Sequence, residues 1–210
     1  MSIGPALTHT LYINADGVTL THGSEDATAN TTHDVAQATT FAPWLAGDAA
    51  RATRIANLVT EVRTTLAAYD VSVVATRPAT GSYDMVVLTD SPASTVAGAP
   101  AGGIVTSVCN VTPSVVSILF GPTYAAFTTA QAQDTLANYA IALFANEAGI
   151  PWSTKPADCM CFADGACTPP NAPCTIGGAG TAIDSHVGCG LSGPTMDERA
   201  LFLSAFGAHP

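Results

Sequence analysis

Positive charge is scarce in this chain. Six Lys plus Arg stand against sixteen Asp plus Glu in 210 residues, a formal net charge of −10. That balance repels phosphate backbones and anionic lipid, and argues against nucleic acid or a membrane surface as partner. Histidine is missing where metal chemistry would need it, with none between His33 and His186. No apolar run reaches the roughly 20 residues of a bilayer-crossing helix. Met1-Ser2-Ile3-Gly4-Pro5 has neither the basic start nor the apolar run of an export signal, so an exported protein is expected to have lost its signal ahead of this point. What is present is 48% hydrophobic residues with only 10% charged, and abundant Ala, Thr, Gly and Pro. That composition fills a core and leaves a neutral polar surface, the profile of a secreted globular protein rather than a disordered one.

Six cysteines stand at Cys109, Cys159, Cys161, Cys167, Cys174 and Cys189, five of them in the last quarter among Pro and Gly. An even count in an irregular segment argues for disulfides in an oxidising compartment. A structural zinc site is the competing reading. Cys159-Met160-Cys161 is C-x-C rather than C-x-x-C, and no histidine lies beside it, so disulfides are preferred. Fifteen connectivities remain open.

In chain order, His9 to Asn14 alternates polar and apolar like a half-buried strand, and Asp16-Gly17 turns it into Val18-Thr19-Leu20. Thr21 to Thr40 is a polar loop carrying His22, Glu25, Asp26, His33 and Asp34, read as solvated, with an oxygen-rich metal site as the functional alternative. Asp48 is placed to cap a helix reaching about Tyr69, whose buried stripe is Ile55, Leu58, Val59, Val62, Leu66 and Tyr69. Arg51, Arg54, Glu61 and Arg63 fall off that stripe and are expected in solvent. Val71–Thr76, Tyr83–Thr89, Gly103–Cys109 and Val115–Phe120 read as strands, the second buried on both faces at its centre. Thr128 with Gln131 forms a capping box for a long helix. Leu136, Tyr139, Ala140, Leu143 and Phe144 mark its apolar face, and Gly149 with Pro151 ends it. A second capping box, Thr195-Met196-Asp197-Glu198, opens a closing helix that ends near Gly207. The fold class expected from the element order is α/β: a mixed sheet backed by helices, with a disulfide-rich tail. One domain spans 1–210, divided into the sheet and two long helices (1–158), the cysteine-rich segment (159–194) and the C-terminal helix (195–207).

The end of the long helix, Asn146-Glu147-Ala148-Gly149-Ile150, and the later Pro156-Ala157-Asp158-Cys159-Met160 resemble the active-site helix and methionine turn of the metzincin zinc peptidases. In that family the helix carries H-E-x-G-H, a third histidine comes after it, and a methionine lies below the metal. LYINADGVTLTHG at the front and VSVVATRPATGSYDMVVL in the middle extend the likeness over most of the chain, toward secreted bacterial members. The resemblance implies a backing helix, a mostly parallel sheet, an active-site-type helix and a C-terminal helix. It places Glu147 at the catalytic glutamate, Gly149 at the turn glycine and Met160 at the turn methionine.

The family's cofactor is zinc, yet Asn146 and Ile150 occupy the first two histidine positions and the third histidine is missing. Two histidines four apart reach one ion from one helix face, and the glutamate between them takes a proton from its bound water. With the ligands missing, no cofactor is expected, and Glu147 is a vestige. The resemblance then implies a secreted pseudopeptidase whose relict cleft, at Asn146, Gly149, Ile150 and Met160, binds a peptide or protein without cleaving it. One alternative is an active metalloendopeptidase with an unorthodox site built from His22, His33 or His186 with Glu147. The other is a structural or adhesive secreted domain. Gly190-Leu191-Ser192-Gly193 lacks the spacing of a nucleophile elbow.

If the cysteine reading holds, alkylation without reductant and then intact-mass measurement labels none of the six thiols. Labelling of several removes both the disulfides and the argument for export.

Overall fold

A computed structural model of the chain describes residues 9–106, 114–124, 129–161, 172–183 and 193–209. It is a mixed α/β fold around a mostly parallel sheet. The elements are β1 (His9–Asn14), β2 (Val18–His22), β3 (Thr31–Thr32), β4 (Thr39–Phe41), α1 (Arg51–Thr65), β5 (Val71–Val74), β6 (Asp84–Thr89), β7 (Gly103–Ile104), β8 (Val116–Phe120), α2 (Thr129–Glu147), β9 (Ala179–Ala182), β10 (Thr195–Asp197) and α3 (Glu198–Phe206). The main sheet runs β5-β1-β6-β8-β7, with the first four strands parallel and β7 antiparallel to β8 at the edge. A small sheet, β3-β2-β4, and the hairpin β10-β9 complete it.

Strand parity divides the core in two, because successive side chains point to opposite faces. Leu11, Ile13, Val86, Leu88 and Leu119 face the helices, packing on Leu58 and Val62 of α1 and on Leu136, Ala140 and Phe144 of α2. Tyr12, Met85, Val87, Ile118 and Phe120 face the other way, under Leu20, Ala27, Val35 and Phe41 from the β2–β4 region. All six residues of β6 and all five of β8 are buried, as strands covered on both faces must be. Gly17 lets the chain leave β1 for the small sheet. It sits at φ +78°, and a Cβ there would lie 2.8 Å from the Phe41 carbonyl oxygen, so only glycine fits.

Several expectations change. Val18-Thr19-Leu20 begins β2, which pairs with β3 and β4 rather than folding back on β1. The polar stretch 21–40 is largely exposed, as expected, but it is more than a loop: it holds the end of β2, β3 and the start of β4, and covers one face of the main sheet through Ala27 and Val35. Apolar residues there are too sparse for periodicity to show, and tertiary contacts make the strands. Helix α1 ends at Thr65, not Tyr69. Asp48 accepts the Ala50 N–H at 2.7 Å in the turn before it, and no side chain caps the helix itself. Of the off-stripe residues Arg63 is exposed as expected, while Arg51, Arg54 and Glu61 are half-buried. Arg51 donates to the carbonyls of Trp44 and Ala15, and Arg63 donates to that of Val73. Glu61 also carries a buried carboxyl oxygen.

At the other end, Thr195 lies in β10, and the cap of α3 is Asp197, which accepts the Ala200 N–H at 3.0 Å. The strand expected over Gly103–Cys109 is two residues long where it is described, and its part from 107 onward lies outside the described residues. The same holds for Thr128 and its capping box, for His186 and for Cys109, Cys167 and Cys189.

The tail is anchored by rings and by sulfur. Phe206 stacks on Phe144 of α2 with centroids 4.6 Å apart, meets His9 edge-on at 5.5 Å, and touches Phe202, which in turn packs on Tyr69. Cys159 and Cys174 form a disulfide closing 15 residues, a loop whose chain-entropy effect is ~3 kcal/mol. Cys161 is disulfide-bonded as well, and no described cysteine is free. Replacing Phe206 by Ala removes the ring that joins β1, α2 and α3, and should destabilise by about 3–5 kcal/mol in urea unfolding. A loss under about 1 kcal/mol would mean that α3 is not docked in this way.

Candidate functional site

Helix α2 stops because Gly149 turns left-handed, at φ +89°, and the Gly149 and Ile150 N–H groups bond back to the carbonyls of Asn146 and Ala145. The Asn146 side chain serves the same purpose, its Nδ2 donating to the Ile150 carbonyl at 3.0 Å. Ile150 is 2% exposed and belongs to the helix-side core. Glu147 is 3% exposed. These side chains are covered rather than displayed.

Glu147 is aimed at the sheet. Parity places Asp84 with Val86 and Leu88, and Ser117 with Leu119, on the helix-facing side of β6 and β8. Ser117 donates to Glu147 Oε1 at 2.5 Å, while Glu147 Oε2 has no donor. Burial pushes the Glu147 carboxyl well up. The Asp84 charge adds to this, Ser117 opposes it, and Glu25 and Asp34 push it further up. Its place at a helix C-terminus, the negative end of the dipole, acts in the same direction. Asp84 is pushed up to about 6 by burial, against the Val115 and Ser114 N–H bonds to its Oδ1.

The 21–40 stretch supplies the rest. Glu25 Oε2 accepts the Val116 N–H at 3.0 Å, and Oε1 accepts from Thr32 Oγ1 and the His33 N–H. His33 Nδ1 lies 2.8 Å from the same oxygen. The Thr106 hydroxyl joins His33 Nε2 to Asp34 Oδ1, each at 2.9 Å. Burial raises the Asp34 carboxyl as well, with Thr106 opposing. His22 and Asp26 do not take part. His22 Nδ1 lies 2.8 Å from the Val35 carbonyl oxygen, and Asp26 holds Thr28 and Ala29, the Thr28 hydroxyl keeping its carboxyl low. The structure therefore gathers Glu25, His33 and Asp34, brings Glu25 and Asp34 near enough for their charges to act on Glu147, and adds Asp84 and Ser117, which sequence reasoning passed over. Their signal was a polar residue inside an otherwise apolar strand, Asp84 before Met85-Val86-Val87 and Ser117 between Val116 and Ile118.

The residues present do not fit zinc as the family holds it. An amide bonded to its own helix end and a core isoleucine offer no ligand pair. Among the described residues no group of three or more His, Cys, Asp and Glu is arranged to hold a metal ion. Met160 is fully buried in the turn after α2, where the Ser153 N–H bonds to its carbonyl oxygen and its own N–H bonds to Asp158 Oδ1. Burial raises the Glu147 carboxyl and so disfavours the ionised form that a general base needs. Comparison with protein-family models, curated proteins and solved structures returned no match.

Removing Ser117 Oγ leaves Glu147 with no donor, so Ser117→Ala should cost ~1–3 kcal/mol at pH 7. Glu147→Gln keeps an acceptor for Ser117 and removes the titratable group, and should cost less. Folded Glu147 titrates above the 4.5 of an exposed glutamate. Its stabilisation is therefore complete below pH 4.5 and is lost as pH rises toward the folded value. Glu147→Gln should flatten that decline, and a steeper decline in the variant would contradict the assignment.

Proposed function

We propose that the chain is a secreted, non-hydrolytic relative of the metzincin zinc peptidases, a pseudopeptidase that keeps the frame of the fold and has given its site residues to folding. One observation carries this reading. At the three positions where the family has histidine, glutamate and histidine, Asn146 closes the helix end, Glu147 is buried on Ser117, and Ile150 fills the core. Support for the frame comes from α1 behind a mostly parallel sheet, α2 ending in a left-handed glycine, a buried methionine in the turn beyond it, and a C-terminal helix. The oxidised cysteines support export.

Ligand binding without cleavage has a natural place along β7, the antiparallel strand that ends the main sheet, where an extended peptide can add as a further strand. The unorthodox metallopeptidase remains the second reading, favoured by one finding: His33 and Glu25 lie at the same end of the sheet as Glu147.

Metal analysis after dialysis, joined to a peptide-cleavage assay with added zinc, separates the two. The pseudopeptidase should retain no stoichiometric metal and show no cleavage. A stoichiometric ion, with cleavage abolished by chelator and by Glu147→Gln, would establish the second reading instead.

A further inference from the structure

Five buried side-chain oxygen or nitrogen atoms among the described residues have no hydrogen-bond partner, and all five are carboxyl oxygens: Asp34 Oδ2, Glu61 Oε1, Glu147 Oε2, Asp158 Oδ2 and Glu198 Oε1. The three ion pairs among the described residues, His33–Glu25, Arg51–Asp16 and Arg54–Asp48, include none of these five acids. A buried carboxylate with one oxygen lacking a donor and no cation beside it is disfavoured, and a proton on that oxygen relieves the cost.

Asp158 and Glu198 show how that remedy is built. They are 3% and 0% exposed, and they converge over Gly177, where a Cβ would lie 2.8 Å from both Asp158 Oδ2 and Glu198 Oε2. Each acid keeps one oxygen on the backbone: Glu198 Oε2 accepts the Gly177 N–H at 2.7 Å, and Asp158 Oδ1 accepts the Met160 N–H at 3.0 Å. The remaining oxygens are the orphans. As two carboxylates the acids can only repel, whereas with one proton between Asp158 and the Glu198 carboxyl they are a hydrogen-bonded pair. The groups facing them are Ser153 and Lys155 from the turn after α2, Thr181 of β9, and Tyr69 beyond the end of α1. Lys155 is exposed and weighs little against the burial of both acids. Arg199 stands next to Glu198 on α3 with its side chain exposed.

We propose that Asp158 and Glu198 form a proton-operated clamp that fastens the cysteine-braced turn to the C-terminal helix, closed in an acidic medium and opened by alkali. Glu61 with Asp134 repeats the scheme between α1 and α2. Burial first, and Asp158 second, push Glu198 up from 4.5 to about 9; burial and then Asp134 push Glu61 up to about 7. In the unfolded chain these acids titrate near 4.5. Between that pH and the folded value the native state holds a proton the unfolded state has released. Each pH unit across the window therefore weakens folding about tenfold per shared proton. The fold is strongest at the acid end, the reverse of a protein held by carboxylate–cation pairs.

The test is thermal and urea unfolding of the full oxidised chain at pH 4.5, 6, 7.5 and 9. The wild-type midpoint should fall steadily with pH. In Glu198→Gln an amide N–H₂ donates permanently toward Asp158 while its oxygen keeps the Gly177 bond. That variant should show a shallower fall and overtake the wild type by pH 9. A wild-type midpoint that rises with pH, or a variant weakened equally at every pH, overturns the clamp. Should the variant not fold, infrared detection of the carboxylic-acid C=O stretch in the wild type decides. A buried acid band persisting at pH 7 and vanishing above pH 9 supports the proposal, and its absence at pH 7 refutes it.

Discussion

The two central strands, β6 and β8, have no solvent-facing side, and the other elements are arranged to cover them. Helices α1 and α2 lie on one face, and the small sheet with the 21–40 stretch lies on the other. This constraint explains why a polar, loop-like sequence folds into ordered structure: Val35, Ala27 and Leu20 are few, but each sits on a strand surface that must be closed. It also explains why Asp84 and Ser117 are buried. Once β6 and β8 are covered on both faces, any polar residue on them has to find its partner inside, and Ser117 finds Glu147.

Burial without cations then shapes the electrostatics. With six basic side chains, three of them donating to backbone carbonyls, the protein has little positive charge for its inner acids. Glu147, Glu198 and Glu61 are raised, each by burial first. At the C-terminal end of α2 the chain holds a desolvated carboxyl, Glu147, on the Ser117 hydroxyl. The same scarcity that argues against an anionic partner thus governs the inner site.

Much of the frame was legible. The strands around Tyr12, Val73, Val86 and Ile118, the α2 stripe from Leu136 to Phe144, and Gly149 as its stop all come from period and turn chemistry, while the parallel pairing of those strands does not. The boundaries drifted where tertiary contacts overrode local signals: α1 stopped short of Tyr69, and Thr195 joined β10 although its spacing to Glu198 reads as a capping box. Glu198 shows why the inner acids were missed. A carboxylate near a helix start has a sufficient local explanation, and only the approach of Asp158 and Gly177, distant in sequence, reveals a different role. Glu25 and His33 were visible as a polar group, but their meeting with Val116 and Thr106 depends on contacts 91 and 73 residues apart.

The placement of the basic residues has a consequence for survival among digestive enzymes. Arg51, Arg54 and Arg63 lie within α1, and Arg199 lies within α3. Arg77 and Lys155 each precede a proline, and the Arg77 side chain is tied to the Ala27 and Thr28 carbonyls and to Asn30. Enzymes that cut after basic side chains need an extended, accessible segment in their cleft, and prefer loop tips to helices. Every such bond here is either wound into a helix or blocked by a proline ring, so a trypsin-like enzyme has nowhere to begin until the native chain comes undone.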